Sequence, residues 1–141
     1  MRKTAHSMVQ EALAAITTYN VEEARDLHGR DDVMFVDLRD VQELEREGVI
    51  PGAFHVPRGM LEFRACPDSP WHDPAFAPGR QVVLFCAAGW RSALATRTLQ
   101  DMGVERVGHI GGGFAAWKAA GAPVAQAAAG PAAPGAPPAP G

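Results

Sequence analysis

Two short apolar runs constrain the fold of this chain more than any other feature. Val33-Met34-Phe35-Val36 ends at Asp37, and Val82-Val83-Leu84-Phe85 ends at Cys86. Uninterrupted apolar strands are typical of a sheet that is covered on both faces, because a half-exposed strand alternates apolar and polar residues. Helical patterns lie between and after these runs. The alternation therefore predicts an α/β fold with a mostly parallel sheet and right-handed crossover connections.

Caps and glycine breakers predict the remaining elements. Ser7 opens a capping-box pattern, and Asn20 and Asp40 are suitable N-caps for the next two helices. Helices are expected over 7–16, Val21–Leu27, Val41–Glu47, 58–65, 92–102 and 114–119, with short strands at 53–56 and within 104–110. Residues 67–78 are rich in proline and predict a loop.

The end of the chain has a different composition from the rest. Residues 125–141 are all alanine, proline or glycine apart from Gln126. Such a segment buries too little apolar surface to offset its ordering entropy, so it is predicted to be a disordered or polyproline-like tail. The folded unit is then expected at about residues 5–124, which is the size of one domain.

Charge and cysteine usage exclude several classes of protein. The net charge of −3 favours neither nucleic acid nor an anionic membrane. The stretch after Met1 is interrupted by polar residues, unlike a signal peptide, and no window approaches the roughly 20 apolar residues of a membrane span. Cys66 and Cys86 do not make a disulfide framework, and His55, His72 and His109 lack metal-ligand spacing. We therefore expect a cytoplasmic protein without a metal site.

The segment from residue 84 to 92 carries the strongest indication of chemistry. A buried strand delivers Cys86 to its carboxyl end, where ligands bind in open α/β sheets. The loop that follows contains Gly89 and leads into a helix, so several backbone N–H groups can face one point. These donors and the helix N-terminus are expected to favour the thiolate, and Arg91 adds a cation nearby.

Four motifs resemble those of the rhodanese family. The loop Cys86-Ala87-Ala88-Gly89-Trp90-Arg91-Ser92 is similar to the family pattern Cys-x-x-Gly-x-Arg/Thr, and Phe35-Val36-Asp37-Leu38-Arg39 to Val-Asp-x-Arg. Gly48-Val49-Ile50-Pro51-Gly52-Ala53 resembles Gly-His-Ile-Pro-Gly-Ala, and Gly112-Gly113-Phe114-Ala115-Ala116-Trp117 resembles Gly-Gly-x-x-x-Trp. Together these motifs cover most of residues 18–124.

The resemblance implies a fold and a two-step reaction. The fold is a five-stranded, mostly parallel sheet with helices on both faces, formed by residues 18–124, with a helical extension at 1–17 and the tail at 125–141. Cys86 would take a sulfane sulfur from a donor such as thiosulfate and hold it as a persulfide against the loop from Ala87 to Ser92. A thiol, cyanide or a protein cysteine would accept the sulfur. No metal or organic cofactor is implied.

Departures from the family pattern and the flanking residues leave some roles open. Ala87 stands where some thiosulfate-using members have a basic residue, which leaves room for another donor. Arg91 either contacts an anionic donor or pairs with Asp37 or a neighbouring carboxylate. The favoured interpretation is that it braces the loop through such a pair and adds a positive charge. Asp37 and Arg39 are interpreted as a structural ion pair or cap that supports the site. Cys66 could resolve the persulfide as a disulfide, although nothing places it near Cys86.

Two other functions are compatible with the sequence. A cysteine phosphatase or arsenate reductase also holds an anion in a cysteine–arginine loop, but its pattern is Cys-x5-Arg, whereas four residues separate Cys86 from Arg91. A persulfide relay or docking module acting on a protein partner is the second rival. The intact cysteine disfavours an inactive module but does not separate a relay from an enzyme acting on small molecules.

Overall fold

The computed structural model describes residues 1–128, in which strands and helices alternate along the chain. The strands are Thr17–Tyr19 (β1), Val33–Asp37 (β2), Phe54–His55 (β3), Gln81–Phe85 (β4) and Val107–Ile110 (β5). The helices are Ala5–Ala15 (α1), Val21–Leu27 (α2), Val41–Glu47 (α3), Leu61–Ala65 (α4), Trp90–Asp101 (α5) and Gly113–Ala119 (α6), with a 3₁₀ turn at Arg58–Met60. None of the helices among these residues is long and apolar enough to cross a membrane.

All five strands are parallel and form one sheet in the order β1-β5-β4-β2-β3. The two apolar runs predicted as buried strands are the central β2 and β4, which pair from Val33 opposite Gln81 to Asp37 opposite Phe85. This register brings the ends of β2 and β4 together at one edge, where the Leu38 N–H donates to the Phe85 carbonyl at 2.9 Å. The predicted α/β class and parallel sheet are confirmed.

Apolar side chains of the central strands point alternately to two faces, and helices cover each face. On one side Met34, Val36 and Leu84 pack with Leu61 of α4 and Leu99 of α5. On the other side, Val33, Phe35, Val83 and Phe85 pack with Ala24 of α2 and Trp117 of α6. Burial on both faces explains why these strands are uninterrupted apolar runs.

The N-terminal helix starts earlier than the sequence pattern predicted. Thr4, not Ser7, is the N-cap: the Ser7 N–H donates to Thr4 Oγ1 at 3.0 Å, and the Thr4 N–H donates to Ser7 Oγ at 3.0 Å. Serine can fill the returning position of a capping box, so the start predicted at Ser7 was wrong by two residues. Val9 and Ala12 of this helix are buried together with Ala93 of α5.

The helix predicted over 92–102 is α5, which begins two residues earlier, at Trp90, because Gly89 is its N-cap. The remaining differences lie in short or irregular elements. The helix predicted over 58–65 is a 3₁₀ turn followed by the five-residue α4, because the Arg58 N–H is taken by the Leu38 carbonyl and Met60 bonds back to Pro57. Strand β1 was not predicted, since its three residues carry no buried apolar pattern. The strand predicted at 53–56 is shorter, at Phe54–His55, and the strand predicted within 104–110 is confirmed at Val107–Ile110.

The segment predicted as a tail begins at a residue that pairs with the body of the protein. Ala125 and Val49 form an isolated antiparallel bridge, with N–H to carbonyl distances of 2.8 and 2.9 Å in the two directions. Residues 129–141 lie outside the described residues, so the tail stays a prediction there.

Candidate active site

Cys86 follows the last residue of β4 and lies under the loop that connects this strand to α5. Its Sγ accepts hydrogen bonds from the N–H of Gly89 at 3.2 Å and of Ser92 at 3.4 Å, and Ser92 Oγ lies 3.5 Å away. The residue is only 1% exposed, and its other side packs in the apolar cluster that contains Val36 and Ala95. The sulfur therefore has an apolar side and a side lined by hydrogen-bond donors.

The loop curls around the sulfur because of Gly89 and the helix that follows. Gly89 is the N-cap of α5 with a φ of 110°, a conformation that side chains with a β-carbon rarely adopt. Ser92 is the third residue of this 12-residue helix, so its N–H has no partner within the helix and is free for the sulfur. The positive end of the helix favours an anion at this position, which is the charge of a thiolate or a persulfide.

A second helix holds the loop from behind. In the first turn of α6, the Phe114 N–H donates to the Cys86 carbonyl at 2.8 Å and the Ala115 N–H to the Ala87 carbonyl at 3.1 Å. Gly113 permits this close approach, since a β-carbon there would lie 2.5 Å from the Cys86 carbonyl oxygen. The glycine-rich turn predicted before the last helix thus positions the loop backbone.

Arg91 reaches α3 and pairs with Glu43. Its two Nη atoms donate to the two carboxylate oxygens, each at 2.9 Å. Two roles were predicted for Arg91: contact with an anionic donor, or pairing with Asp37 or a neighbouring carboxylate. The geometry is that of the pair, and the carboxylate is that of Glu43. The hydrogen bond from Arg91 lowers the pKa of Glu43 to about 2, and the same bond raises the pKa of Arg91.

The depressed pKa of Glu43 predicts a pH-dependent contribution to stability. The pKa is about 2 in the folded protein against 4.5 ordinarily, so the contribution is complete above about pH 4.5 and is lost as the pH falls toward 2. Because Arg91 is 38% exposed, we expect only about 1 kcal/mol. Urea unfolding of Glu43→Gln should show this deficit near neutral pH and little deficit near pH 2. A deficit that is the same at both ends would contradict the ion pair.

Asp37 and Arg39 form a second, fully buried pair at the end of β2. Arg39 Nε and Nη2 donate to the Asp37 carboxylate at 2.9 and 2.7 Å, and both residues are 1% exposed. Nη2 also donates to the Gly48 carbonyl, and the guanidinium lies 4.0 Å from the centre of the Phe114 ring. The pair therefore joins β2 to the turn at Gly48 and to the start of α6, the helix that holds the Cys86 loop.

His109 belongs to this site, although from the sequence it was interpreted as an ordinary polar residue near a loop. It lies on β5, is 1% exposed, and its Nδ1 is 2.8 Å from Ser92 Oγ. Its Nε2 is 3.0 Å from Oγ1 of the exposed Thr18. Burial lowers the pKa of His109 to about 4, so the ring is neutral at pH 7. A polar residue at the carboxyl end of a buried strand, next to the glycine turn, was the available signal.

The other residues considered in the sequence analysis lie outside this network. Ala88 of the loop and Trp90, the first residue of α5, are exposed, and Ala87 is partly exposed. Cys66 is a free thiol that lines a cavity of about 460 Å³ with Val82, which is near the start of β4, so the structure does not bring the two cysteines together. Within residues 1–128, no group of three or more histidine, cysteine or acidic side chains is arranged to hold a metal ion.

Comparison with known proteins finds a matching family model and several similar proteins. Residues 20–120 match the family model described as the rhodanese-like domain. A sulfurtransferase of Allochromatium vinosum is 32% identical over 94 residues, which cover 67% of this chain and 79% of that protein. An uncharacterized protein of Synechocystis is 33% identical over 118 residues, which cover 81% of this chain but only 61% of that protein.

One solved structure is similar over almost the whole domain. It is a protein of unknown function from Rhodopseudomonas palustris, described as a possible tyrosine phosphatase. It is 46% identical with a TM-score of 0.86, and the alignment covers 89% of this chain and 96% of that chain. The fold described above is therefore shared with an experimentally determined structure.

Proposed function

This chain belongs to the rhodanese-like domain family, and we propose that it is a sulfurtransferase in which Cys86 carries a sulfane sulfur as a persulfide. The family match confirms the resemblance to the rhodanese family that the four sequence motifs carry. The observation that carries the mechanism is the pair of N–H donors, from Gly89 and Ser92, on the Cys86 sulfur at the N-terminus of α5. This arrangement supports an anionic sulfur nucleophile without an adjacent general base.

The proposed reaction has two displacement steps. In the first, the Cys86 thiolate attacks the outer sulfur of thiosulfate, the donor S–S bond breaks, and sulfite leaves with the bonding electrons. In the second, cyanide or an acceptor thiolate attacks the outer sulfur of the persulfide, and Cys86 leaves as a thiolate. Each step forms one bond to the transferred sulfur and breaks one S–S bond: the bond formed is S–S with Cys86 or an acceptor thiolate, and C–S with cyanide, so no oxidant or reductant is needed. The loop amides offer donors to the persulfide anion as they do to the thiolate.

The choice of donor follows from the charges and the access at the loop. Arg91 is the one cation between Cys86 and Ser92, and it is already paired with Glu43. An anionic donor would then be held mainly by backbone N–H groups, so we propose that thiosulfate is one of several sulfane donors. Because Cys86 is 1% exposed, the reacting end of a donor must be slender, as in thiosulfate or a thiol persulfide.

Mass spectrometry of the loaded protein tests this proposal. After incubation with thiosulfate or a thiol persulfide, we expect a gain of one sulfur atom on the peptide that contains Cys86, reversed by cyanide. Loading by the persulfide but not by thiosulfate would keep the class and change the donor. A folded protein whose Cys86 gains no sulfur from either donor would contradict the proposal. Comparing a small thiol with a protein cysteine as acceptor separates an enzyme acting on small molecules from a relay.

A phosphatase is the second candidate, because the Rhodopseudomonas palustris protein is described as a possible tyrosine phosphatase. Such an enzyme needs its loop arginine on the phosphate oxygens, whereas Arg91 is bound to Glu43 here. The four residues between Cys86 and Arg91 also make a shorter loop than Cys-x5-Arg. We expect no Cys86-dependent hydrolysis of p-nitrophenyl phosphate. Hydrolysis by the wild type that is abolished in Cys86→Ser would favour the phosphatase.

A further inference from the structure

A continuous hydrogen-bonded chain joins the buried sulfur to the protein surface. It runs from Cys86 Sγ to Ser92 Oγ at 3.5 Å, from Ser92 Oγ to His109 Nδ1 at 2.8 Å, and from His109 Nε2 to Thr18 Oγ1 at 3.0 Å. Ser92 and His109 are buried, at 0% and 1% exposure, whereas Thr18 is exposed. The two sulfur-transfer steps proposed above do not use this series of hydrogen bonds.

The proton positions along the chain depend on the charge of the sulfur. A neutral thiol can donate to Ser92 Oγ, and the Ser92 hydroxyl then donates to His109 Nδ1, which requires the Nε2–H form of the ring. A thiolate can only accept. The Ser92 proton then turns to the sulfur, and Ser92 Oγ needs a donor, which is the Nδ1–H form of the same ring. In that form Nε2 accepts from the Thr18 hydroxyl.

We propose that Ser92, His109 and Thr18 form a chain whose hydrogen bonds reverse direction when Cys86 ionises, with His109 as the positioning residue that holds the Ser92 hydroxyl toward the anionic sulfur. In the reversal the S–H bond breaks and a new O–H bond forms on Ser92. The former Ser92 proton moves to Nδ1, the Nε2 proton moves to Thr18, and the former Thr18 proton passes to water. The sulfur loses one proton to water overall, whereas Ser92 Oγ, the His109 ring as a whole and Thr18 Oγ1 each carry one proton before and after the reversal.

The surroundings of His109 fit this assignment. A neutral ring is required, because an imidazolium carries protons on both nitrogens and cannot accept, and burial holds the pKa of His109 near 4. The ring is contacted by hydroxyls from α5 and β1. The charged residue of the loop, Arg91, is paired with Glu43, whose pKa is about 2, so neither changes charge while Cys86 ionises. The inference rests on the proposed function only in taking Cys86 as the nucleophile.

The tautomer of His109 provides a direct test. In ¹⁵N-labelled full-length protein on a Cys66→Ser background, the ring nitrogens would be observed by NMR below and above Cys86 ionisation, which thiolate ultraviolet absorbance follows. His109→Asn identifies the His109 signals among the five histidines. We expect Nε2 to carry the proton beside the thiol and Nδ1 beside the thiolate. The same tautomer in both states would overturn the proposal.

Variants at His109 and Thr18 test the positioning role. At one fixed pH, His109→Leu should lower the ratio of thiolate to thiol about tenfold, since Ser92 Oγ loses the N–H donor that directs its hydroxyl toward the anionic sulfur. His109→Asn, which keeps an N–H near the position of Nδ1, should stay within about twofold of the wild type. Thr18→Val should lower the ratio and the neighbouring Thr17→Val should not. A wild-type ratio in a folded His109→Leu protein would overturn the proposal.

Neither measurement uses a sulfur donor. A change of the His109 tautomer without persulfide formation on Cys86 would therefore contradict the proposed function and support this inference. Persulfide formation with an unchanged tautomer would do the opposite.

Discussion

Replacing Cys86 by alanine is expected to lower the rate of sulfur transfer by about a thousandfold or more, to the background of the uncatalysed reaction. The Gly89 and Ser92 N–H groups and the start of α5 favour an anion, but they contribute nothing to transfer without a sulfur to hold. Thiocyanate formation from thiosulfate and cyanide measures the rate, and mass spectrometry measures the loading. The alanine fits the buried space of the cysteine, so the fold should persist.

Cys66 supplies the matched control for this variant. It is the only other cysteine in the chain, and it lines a cavity with Val82, near the start of β4, whereas Cys86 follows the end of that strand. Cys66→Ser should therefore load sulfur and turn over like the wild type. If sulfur transfer persists in Cys86→Ala, or is lost in Cys66→Ser, the reacting thiol is not the one at the N-terminus of α5.

The position of Cys86 could be predicted because the signals for it are local. A continuous apolar run predicts a buried strand, and a glycine-containing loop before a helical pattern predicts inward-facing N–H groups. The structure has both features, with two of the loop amides on the sulfur. The central strands β2 and β4 were predictable for the same reason, since a strand that is buried on both faces consists of consecutive apolar residues.

Contacts between distant segments could not be predicted in this way. The partner of Arg91 is Glu43, 48 residues earlier, and nothing in the local pattern distinguishes Glu43 from Asp37 or from the other carboxylates considered. His109 reaches Ser92 because β5 lies beside β4, and Thr18 reaches His109 because β1 lies beside β5. Strand order is set by packing of the whole chain, so a sequence pattern gives the strands without their neighbours.

The close contact between α6 and the Cys86 loop predicts the second large effect, from Gly113→Ala. The added β-carbon would lie 2.5 Å from the Cys86 carbonyl oxygen and 2.7 Å from that of Ala87, and Gly113 has a φ of 61°. The left-handed backbone costs about 1–2 kcal/mol, and crowding of a packed interior adds about 1–3 kcal/mol. We expect urea unfolding to show a loss of about 2–5 kcal/mol in the free energy of unfolding.

Gly121→Ala separates the two contributions, because Gly121 has a similar φ of 74° and a β-carbon there meets nothing within 4 Å. It should lose only the backbone cost of about 1–2 kcal/mol and should keep sulfur-transfer activity. Gly113→Ala should also lose at least about tenfold in activity, since α6 can no longer hold the carbonyls of Cys86 and Ala87 in place. Equal losses of stability in the two variants, with activity retained in both, would mean that α6 does not position the loop.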